Sequence, residues 1–218
     1  MTKEEKTCKK CDFRKTSEQI KVEERQRVIR RIDPHFVFNT LGAIRIATKT
    51  NADLAYNMIY DFSKYLRVVF HSLLVDENIF FREEAACIIC YTDLEKIRFG
   101  DGIAVRMDIK EDNFSLPPLS VQPLVENAIR HGLLHGRKKG TVTVRSYQTI
   151  SEYVVQVEDD GTGFEADGYD HLPGDSGPQA CGLQQVRYRV ENMTDGSVEI
   201  RSFIGIGTVI TLHIPKKE

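Results

Sequence analysis

Apolar residues in the first third of the chain recur at helical spacing. Val37, Leu41 and Ile44 are separated by four and three residues, and Ala55, Ile59, Phe62, Leu66, Val69 and Leu73 continue at four, three, four, three and four. Each series predicts an amphipathic helix, because 3.6 residues per turn brings these positions back to one face. A polar break at Thr48–Asp53 joins the two into a helical hairpin. Two helices alone bury little surface, so a second hairpin from another copy would complete a four-helix bundle, and a homodimer is expected. Asp33-Pro34 admits two readings. Asp33 as N-cap with Pro34 as first helical residue starts a helix here, or an earlier helix marked by Val22, Ile29 and Ile32 is kinked at Pro34. Local chemistry favours the start.

From about residue 76 the pattern changes. A helix is expected over 83–98, then Ile103, Val105, Met107 and Ile109 alternate as a strand does. Leu116-Pro117-Pro118 breaks the chain before a helix at about 119–134. Val142 and Val144, then Tyr153, Val155 and Val157, mark two strands able to form a hairpin. A helix over 182–193 precedes strands at about 197–203 and 207–214. Strands interleaved with helices predict a two-layer α/β sandwich, so the class is α+β, with the hairpin first. Six of the fifteen glycines fall between Gly161 and Gly182, together with Pro173 and Pro178, so 160–181 reads as a lid over a site. The division expected is a polar lead-in at 1–24, the hairpin at 25–75 and the sandwich at 76–218.

Composition narrows the class without choosing a function. At 218 residues there is room for one or two small domains, and a formal charge of -2 argues against a nucleic-acid binder with a broad basic surface. No stretch approaches the roughly 20 apolar residues of a membrane span and no secretory segment follows Met1, so a cytoplasmic chain is expected, compatible with its being a piece of a membrane-anchored parent. Cys87 and Cys90 lie in an apolar helical run with Leu94 and Ile97 and are expected as buried thiols. Cys8 and Cys11 provide too few ligands for zinc, so no metal is assigned to cysteine.

The chemistry sits in four ordered pieces. In PLVENAIRHG (123–132), the Asn127 carboxamide is a neutral oxygen donor able to hold Mg²⁺ while the cation bridges phosphates. Glu126 can polarise a water or orient the metal's shell, and Arg130, one turn on, can reach phosphate oxygens. Asp159 ends a strand before Asp160-Gly161-Thr162-Gly163, and a carboxylate there accepts from the amino group of adenine, which guanine lacks at that position. Gly161 and Gly163 let backbone approach the base. Gly182 is expected to open a helix, where free N–H groups suit phosphate. Gly205-Ile206-Gly207-Thr208 enters the last strand, offering close approach and a hydroxyl. Upstream, His35 is the candidate nucleophile for a γ-phosphoryl group.

Taken together, RIDPHFVFNTLGAI, PPLSVQPLVENAIRHG, VEDDGTGF, CGLQQV and GIGTVITLHIP resemble the cytoplasmic core of LytS-type sensor histidine kinases, with an ATP domain of the GHKL (Bergerat) type; DFSKYLR and EKIRFGD fit the connecting pattern. Glu126 and Asp33 are both candidates for the proton acceptor of the attacking imidazole, and the resemblance implies that His35 is the residue phosphorylated. It makes Asn127 the Mg²⁺ ligand and Asp159 the adenine reader. It places Arg130, His131, Gly161, Gly163, Gly182, Leu183, Gly205, Gly207 and Thr208 at the nucleotide. It also implies ATP and Mg²⁺ as cofactors, a dimer with a long kinked first helix in place of a start at Pro34, and a response regulator as phosphoryl acceptor. Three departures stand out: Asp33 where the family has Asn before Pro, Asp160 where it has Asn, and Ala180-Cys181-Gly182-Leu183 where it has Gly-x-Gly-Leu. They motivate an alternative, a non-catalytic nucleotide-sensing dimer whose lid reports to a partner.

Overall fold

The computed structural model describes residues 33–74, 77–134, 139–165 and 177–216. Backbone proximity divides the chain into Met1–Asn39 and Thr40–Glu218. In the first unit the described residues begin helix α1, Pro34–Thr50. Asp33 is non-helical and caps it, its Oδ1 accepting the His35 N–H at 3.0 Å while its carbonyl accepts from Val37. This is the local reading of Asp33-Pro34; the upstream part of a longer kinked helix would lie outside the described residues.

In the second unit, α1 ends at Thr50 and helix α2 runs Ala52–Leu74. Asn51 makes the break, since its Oδ1 accepts the Leu54 N–H at 3.0 Å and Asp53 adds charge to the first turn. The buried stripe of α2 is Ala55, Met58, Phe62, Tyr65 and Val69. That differs from the predicted face, because Ile59 is exposed and Leu66 only half-buried. The helix is apolar around more than one side, and packing on the next helix selects Met58 and Tyr65.

That helix, α3, is Phe81–Phe99, with Glu83 and Glu84 in its first turn and Lys96 and Arg98 in its last, matching its dipole at both ends. Cys87, Cys90 and Leu94 are buried as expected, whereas Ile97 is exposed. A 3₁₀ turn at Gly100–Gly102 leads into β2, Ile103–Ile109. The short strands β1, Ile79–Phe80, and β3, Ser115–Leu116, pair with each other. The helix expected over 119–134 is a short α4, Gln122–Asn127, continued by a π-helical turn at Ala128–Leu134. Strands β4, Gly140–Gln148, and β5, Glu152–Asp159, form the hairpin. Helix α5 is Gly177–Thr194, and β6, Ser197–Phe203, and β7, Gly207–Pro215, complete the chain.

The five-stranded sheet has the order β2-β4-β5-β7-β6, with only β2 and β4 parallel. Its register sets Val144, Val157 and Ile210 in one row and Ser146, Val155 and Leu212 in the next. These residues, mostly buried, form the sheet's side of the core, and α4 and α5 supply Leu124, Val125, Leu183, Val186 and Val190 on the other side. One row nearer the sheet's end, the same register aligns Val142, Asp159, Thr208 and Ser202. A buried polar row at the end of an apolar sheet face is where a ligand belongs.

Candidate nucleotide site

At that end a cavity of roughly 670 Å³, counted out to its open mouth, lies between the sheet and the α4 turn. Val157, Asp159, Thr208 and Ile210 line it from the sheet; Leu124, Asn127, Ala128 and Gly132 from α4 and its π turn; Leu183 from α5; and Thr162, Gly163 and Phe164 from the loop after β5. Its walls are mostly apolar with a few convergent polar groups, as in sites for flat ligands.

The π turn decides which residues of PLVENAIRHG face inward. Hydrogen bonding from i to i+5 widens the turn, so the residue one turn beyond Asn127 is Gly132 and not Arg130. Arg130 is absent from the lining, contrary to the spacing argument, which assumed 3.6 residues per turn. The side chain of His131 lies outside what the structure describes. Glu126 also departs from expectation. Its Oε1 accepts from Gln122 Nε2 at 3.0 Å and from the Tyr65 hydroxyl at 3.4 Å, and it does not line the cavity.

Asp159 is held rigidly. Its Oδ1 accepts the Gly161 N–H at 2.9 Å, and a Cβ on Gly132 would sit 2.7 Å from that oxygen. Burial pushes its carboxyl up to about 6, opposed by the Gly161 and Thr208 N–H groups and reinforced by the neighbouring charge of Asp160. It therefore remains mostly ionised at neutral pH, the state in which it accepts a hydrogen bond. Thr208 Oγ1 lies 2.9 Å from Ser202 Oγ, completing the polar row.

The glycines serve close approach more than ligand contact. Gly161 packs on the Gly132 carbonyl, and the Thr162 N–H donates to that same oxygen at 3.0 Å. Gly163, at φ +58°, lies against the Phe203 carbonyl, and a Cβ there would meet it at 2.0 Å. Gly207, at φ +134°, is equally tight against the Asp159 carbonyl. Gly205 is not part of the lining; its N–H donates to the Thr162 carbonyl at 2.7 Å and ties the β6–β7 turn to the loop. Gly182 does not open a helix, because α5 already begins at Gly177. Its bare backbone instead faces Asn127, whose Nδ2 would lie 3.7 Å from an added Cβ. Of the expected lid, residues 166–176 lie outside the described residues.

Sequence reasoning overlooked Gly132, Leu124, Ala128, Thr162, Phe164, Val157 and Ile210. Gly132 ends the motif already singled out; the apolar members carried no signal separating them from core. Asp160 turns away from any phosphate role, since its Oδ1 accepts the Thr141 N–H at 2.7 Å and secures the edge of β4.

The buried Asp159, the Asn127 carboxamide and the glycine-lined gap beside it fit an adenine nucleotide. The Asn127 carboxamide oxygen is of a donor type that suits Mg²⁺; no group of three or more His, Cys, Asp or Glu side chains able to hold a metal ion occurs among the described residues. His35 is exposed at the start of α1, with the Asn39 amide 2.9 Å from its Nδ1. No helix among the described residues is long and apolar enough to cross a membrane.

Residues 24–103 match the family model described as histidine kinase, and 119–218 that of histidine kinase-, DNA gyrase B- and HSP90-like ATPases. The sensor histidine kinase YpdA of Escherichia coli K12 is 35% identical over 189 residues, 86% of this chain and 33% of its own length. YwpD of Bacillus subtilis 168 is 33% identical over 185 residues, 84% of this chain and 66% of its own. The LytS sensor protein of Staphylococcus haemolyticus is 26% identical, over 84% of this chain and 32% of its own. This chain thus spans from about a third to two thirds of these relatives. Among solved structures, the histidine kinase domain of the Erythrobacter litoralis EL346 blue-light activated kinase has a TM-score of 0.50 at 19% identity, covering 91% of this chain and 94% of that one. The catalytic domain of histidine kinase ThkA gives 0.51 at 13% identity, over 64% of this chain and 95% of that one. At these identities the likeness is one of fold.

Proposed function

This chain belongs to the histidine kinase family, and from that premise we propose that it is an ATP-dependent protein histidine kinase core that phosphorylates His35 and passes the phosphoryl group to an aspartate of a response regulator. The observation that carries the reading is the convergence of Asp159 and Asn127 on one cavity in the domain that follows a histidine-bearing helix. Asp159 selects adenine through its amino group, with Thr208 and the backbone at Gly163 shaping the base's edge. Asn127 would hold Mg²⁺, which when bound would supply positive charge against the phosphates. An imidazole nitrogen of His35 forms the P–N bond as the bond to the β-phosphate oxygen breaks, releasing ADP. Residues 25–75 act as the dimerising phosphoacceptor hairpin and 76–218 as the ATP-binding domain. Exposed Leu41, Ile46, Tyr56, Ile59, Tyr60 and Phe70 supply the apolar surface that a second copy would cover. A cytoplasmic placement, as the cytoplasmic portion of a membrane-anchored sensor, is part of the same proposal.

Labelled ATP with Mg²⁺ should place acid-labile, alkali-stable label on the wild-type protein and none on His35→Gln, which retains nucleotide affinity. Label persisting in that variant refutes the acceptor assignment. Tight nucleotide binding with no phosphohistidine would instead favour a non-catalytic sensor. Of the departures that motivate that alternative, Asp160 has a structural role, its Oδ1 accepting the Thr141 N–H.

A further inference from the structure

Beside the cavity, but not lining it, a chain of polar groups runs from α2 to the turn that presents Asn127. Tyr65 is fully buried on α2, its ring stacked near Phe62 at 6.5 Å between centroids and tilted against Tyr91 of α3 at 6.0 Å. Its hydroxyl donates to Glu126 Oε1 at 3.4 Å. The same oxygen accepts from Gln122 Nε2 at 3.0 Å. Gln122 is in turn fixed by the Cys87 thiol, whose Sγ donates to its Oε1 at 2.7 Å. Gln122 and Cys87 are buried. Burial pushes both the Tyr65 hydroxyl and the Cys87 thiol far up from their ordinary values, so both stay neutral donors. Helices α2 and α4 therefore meet on one carboxylate, α3 reaches it through Gln122, and that carboxylate belongs to the residue immediately before Asn127.

We propose that Tyr65 is a positioning residue for the nucleotide reaction: its hydroxyl, acting through Glu126, ties α2 to the start of the π turn, so that the setting of α2 and the placement of Asn127 are coupled. This rests on the nucleotide reading of the cavity. Several features support it. A stiff aromatic side chain transmits a small shift of a helix where a flexible one would absorb it. The 3.4 Å separation lies beyond the usual range for an O–H···O bond, so a displacement of a few tenths of an ångström makes or breaks it. Coupling of this kind is reciprocal: whatever α2 does to Asn127, a nucleotide held at Asn127 does to α2. Glu126 thereby acquires a role that its place outside the cavity would otherwise deny it.

The test uses the full chain and Tyr65→Phe, which keeps the ring and removes one oxygen. Nucleotide affinity is measured with a non-hydrolysable ATP analogue and Mg²⁺, hydrogen exchange is followed along 55–70, and autophosphorylation is measured as kcat and KM. In wild type, nucleotide should slow exchange on α2. In Tyr65→Phe that response should vanish and kcat fall by about tenfold, with KM for ATP and analogue affinity within about threefold of wild type. Glu126→Ala should behave alike and the double variant no worse than either single one, whereas Glu126→Gln, which keeps an acceptor oxygen, should retain the α2 response. A merely structural role would lower the melting temperature and make the losses additive. Nucleotide binding with an unchanged α2 response in Tyr65→Phe overturns the coupling alone; no nucleotide binding by wild type overturns the coupling and the site together.

Discussion

Replacing Glu84 by Gln would expose the cost of a charge buried behind α4. Glu84, on α3, is completely buried, and its Oε1 accepts the N–H groups of Val121 and Gln122 at 2.7 and 2.9 Å. It thus caps α4, which has no side-chain cap of its own. Oε2 has no hydrogen-bond partner. Arg189 pins the preceding turn, donating to the carbonyls of Pro118 and Leu119 at 2.8 and 2.6 Å and holding Leu119 at an unfavourable φ of +57°. Burial pushes the Glu84 carboxyl from 4.5 up to about 7, partly offset by the backbone donors and by Arg189. Because the folded protein holds the proton more tightly than the unfolded chain, the stability involved is complete below pH ~4.5 and is lost as pH rises towards ~7. The full difference is about 3 kcal/mol, of which about 2 kcal/mol falls between pH ~5.5 and ~8. Gln keeps an acceptor for the two N–H groups and cannot ionise. Its unpaired amide adds an offset of about 1 kcal/mol that does not change with pH. Arg189 stays charged, and burial keeps the Cys87 thiol protonated across this range. Urea unfolding of both proteins from pH ~5.5 to ~8 should show wild type losing about 2 kcal/mol relative to the variant. Parallel pH profiles would refute the claim that Glu84 is buried with a raised affinity for its proton.

Adenine nucleotide affinity should weaken about tenfold per pH unit below ~6, as Asp159 takes up a proton that the ligand's amino group must displace; a flat profile in calorimetry would exclude that hydrogen bond. Asp159→Asn should bind ATP at least about tenfold more weakly and lose discrimination against GTP in competition binding. Gly207→Ala meets the Asp159 carbonyl at 2.0 Å from an already unfavourable φ, so it should cost about 2–4 kcal/mol and lower nucleotide affinity together with the melting temperature. Asp160→Ala should lower the melting temperature by a few degrees through loss of the Thr141 contact and leave ATP affinity within about threefold.

What the sequence determined by itself was the element order and the identity of the nucleotide motifs. Alternation in 103–109, 142–157 and 197–214 marked every strand of the large sheet, since a two-residue period has no other common cause. The break at Asn51 was legible because capping is local chemistry. Asp159, Asn127, Thr208 and Leu183, singled out from their motifs, line one cavity. Tertiary structure alone decided the rest. The α-to-π change after Asn127 turned Gly132 inward and took Arg130 out of the lining, and helical spacing cannot register a change in residues per turn. Contact with α3 chose Met58 and Tyr65 over Ile59 and Leu66 on a helix that is apolar on more than one side. Val121, Tyr65 and Thr141, which bond Glu84, Glu126 and Asp160, lie 37, 61 and 19 residues away in the chain, and hydrogen bonds at such separations leave no periodic trace in the residues that make them.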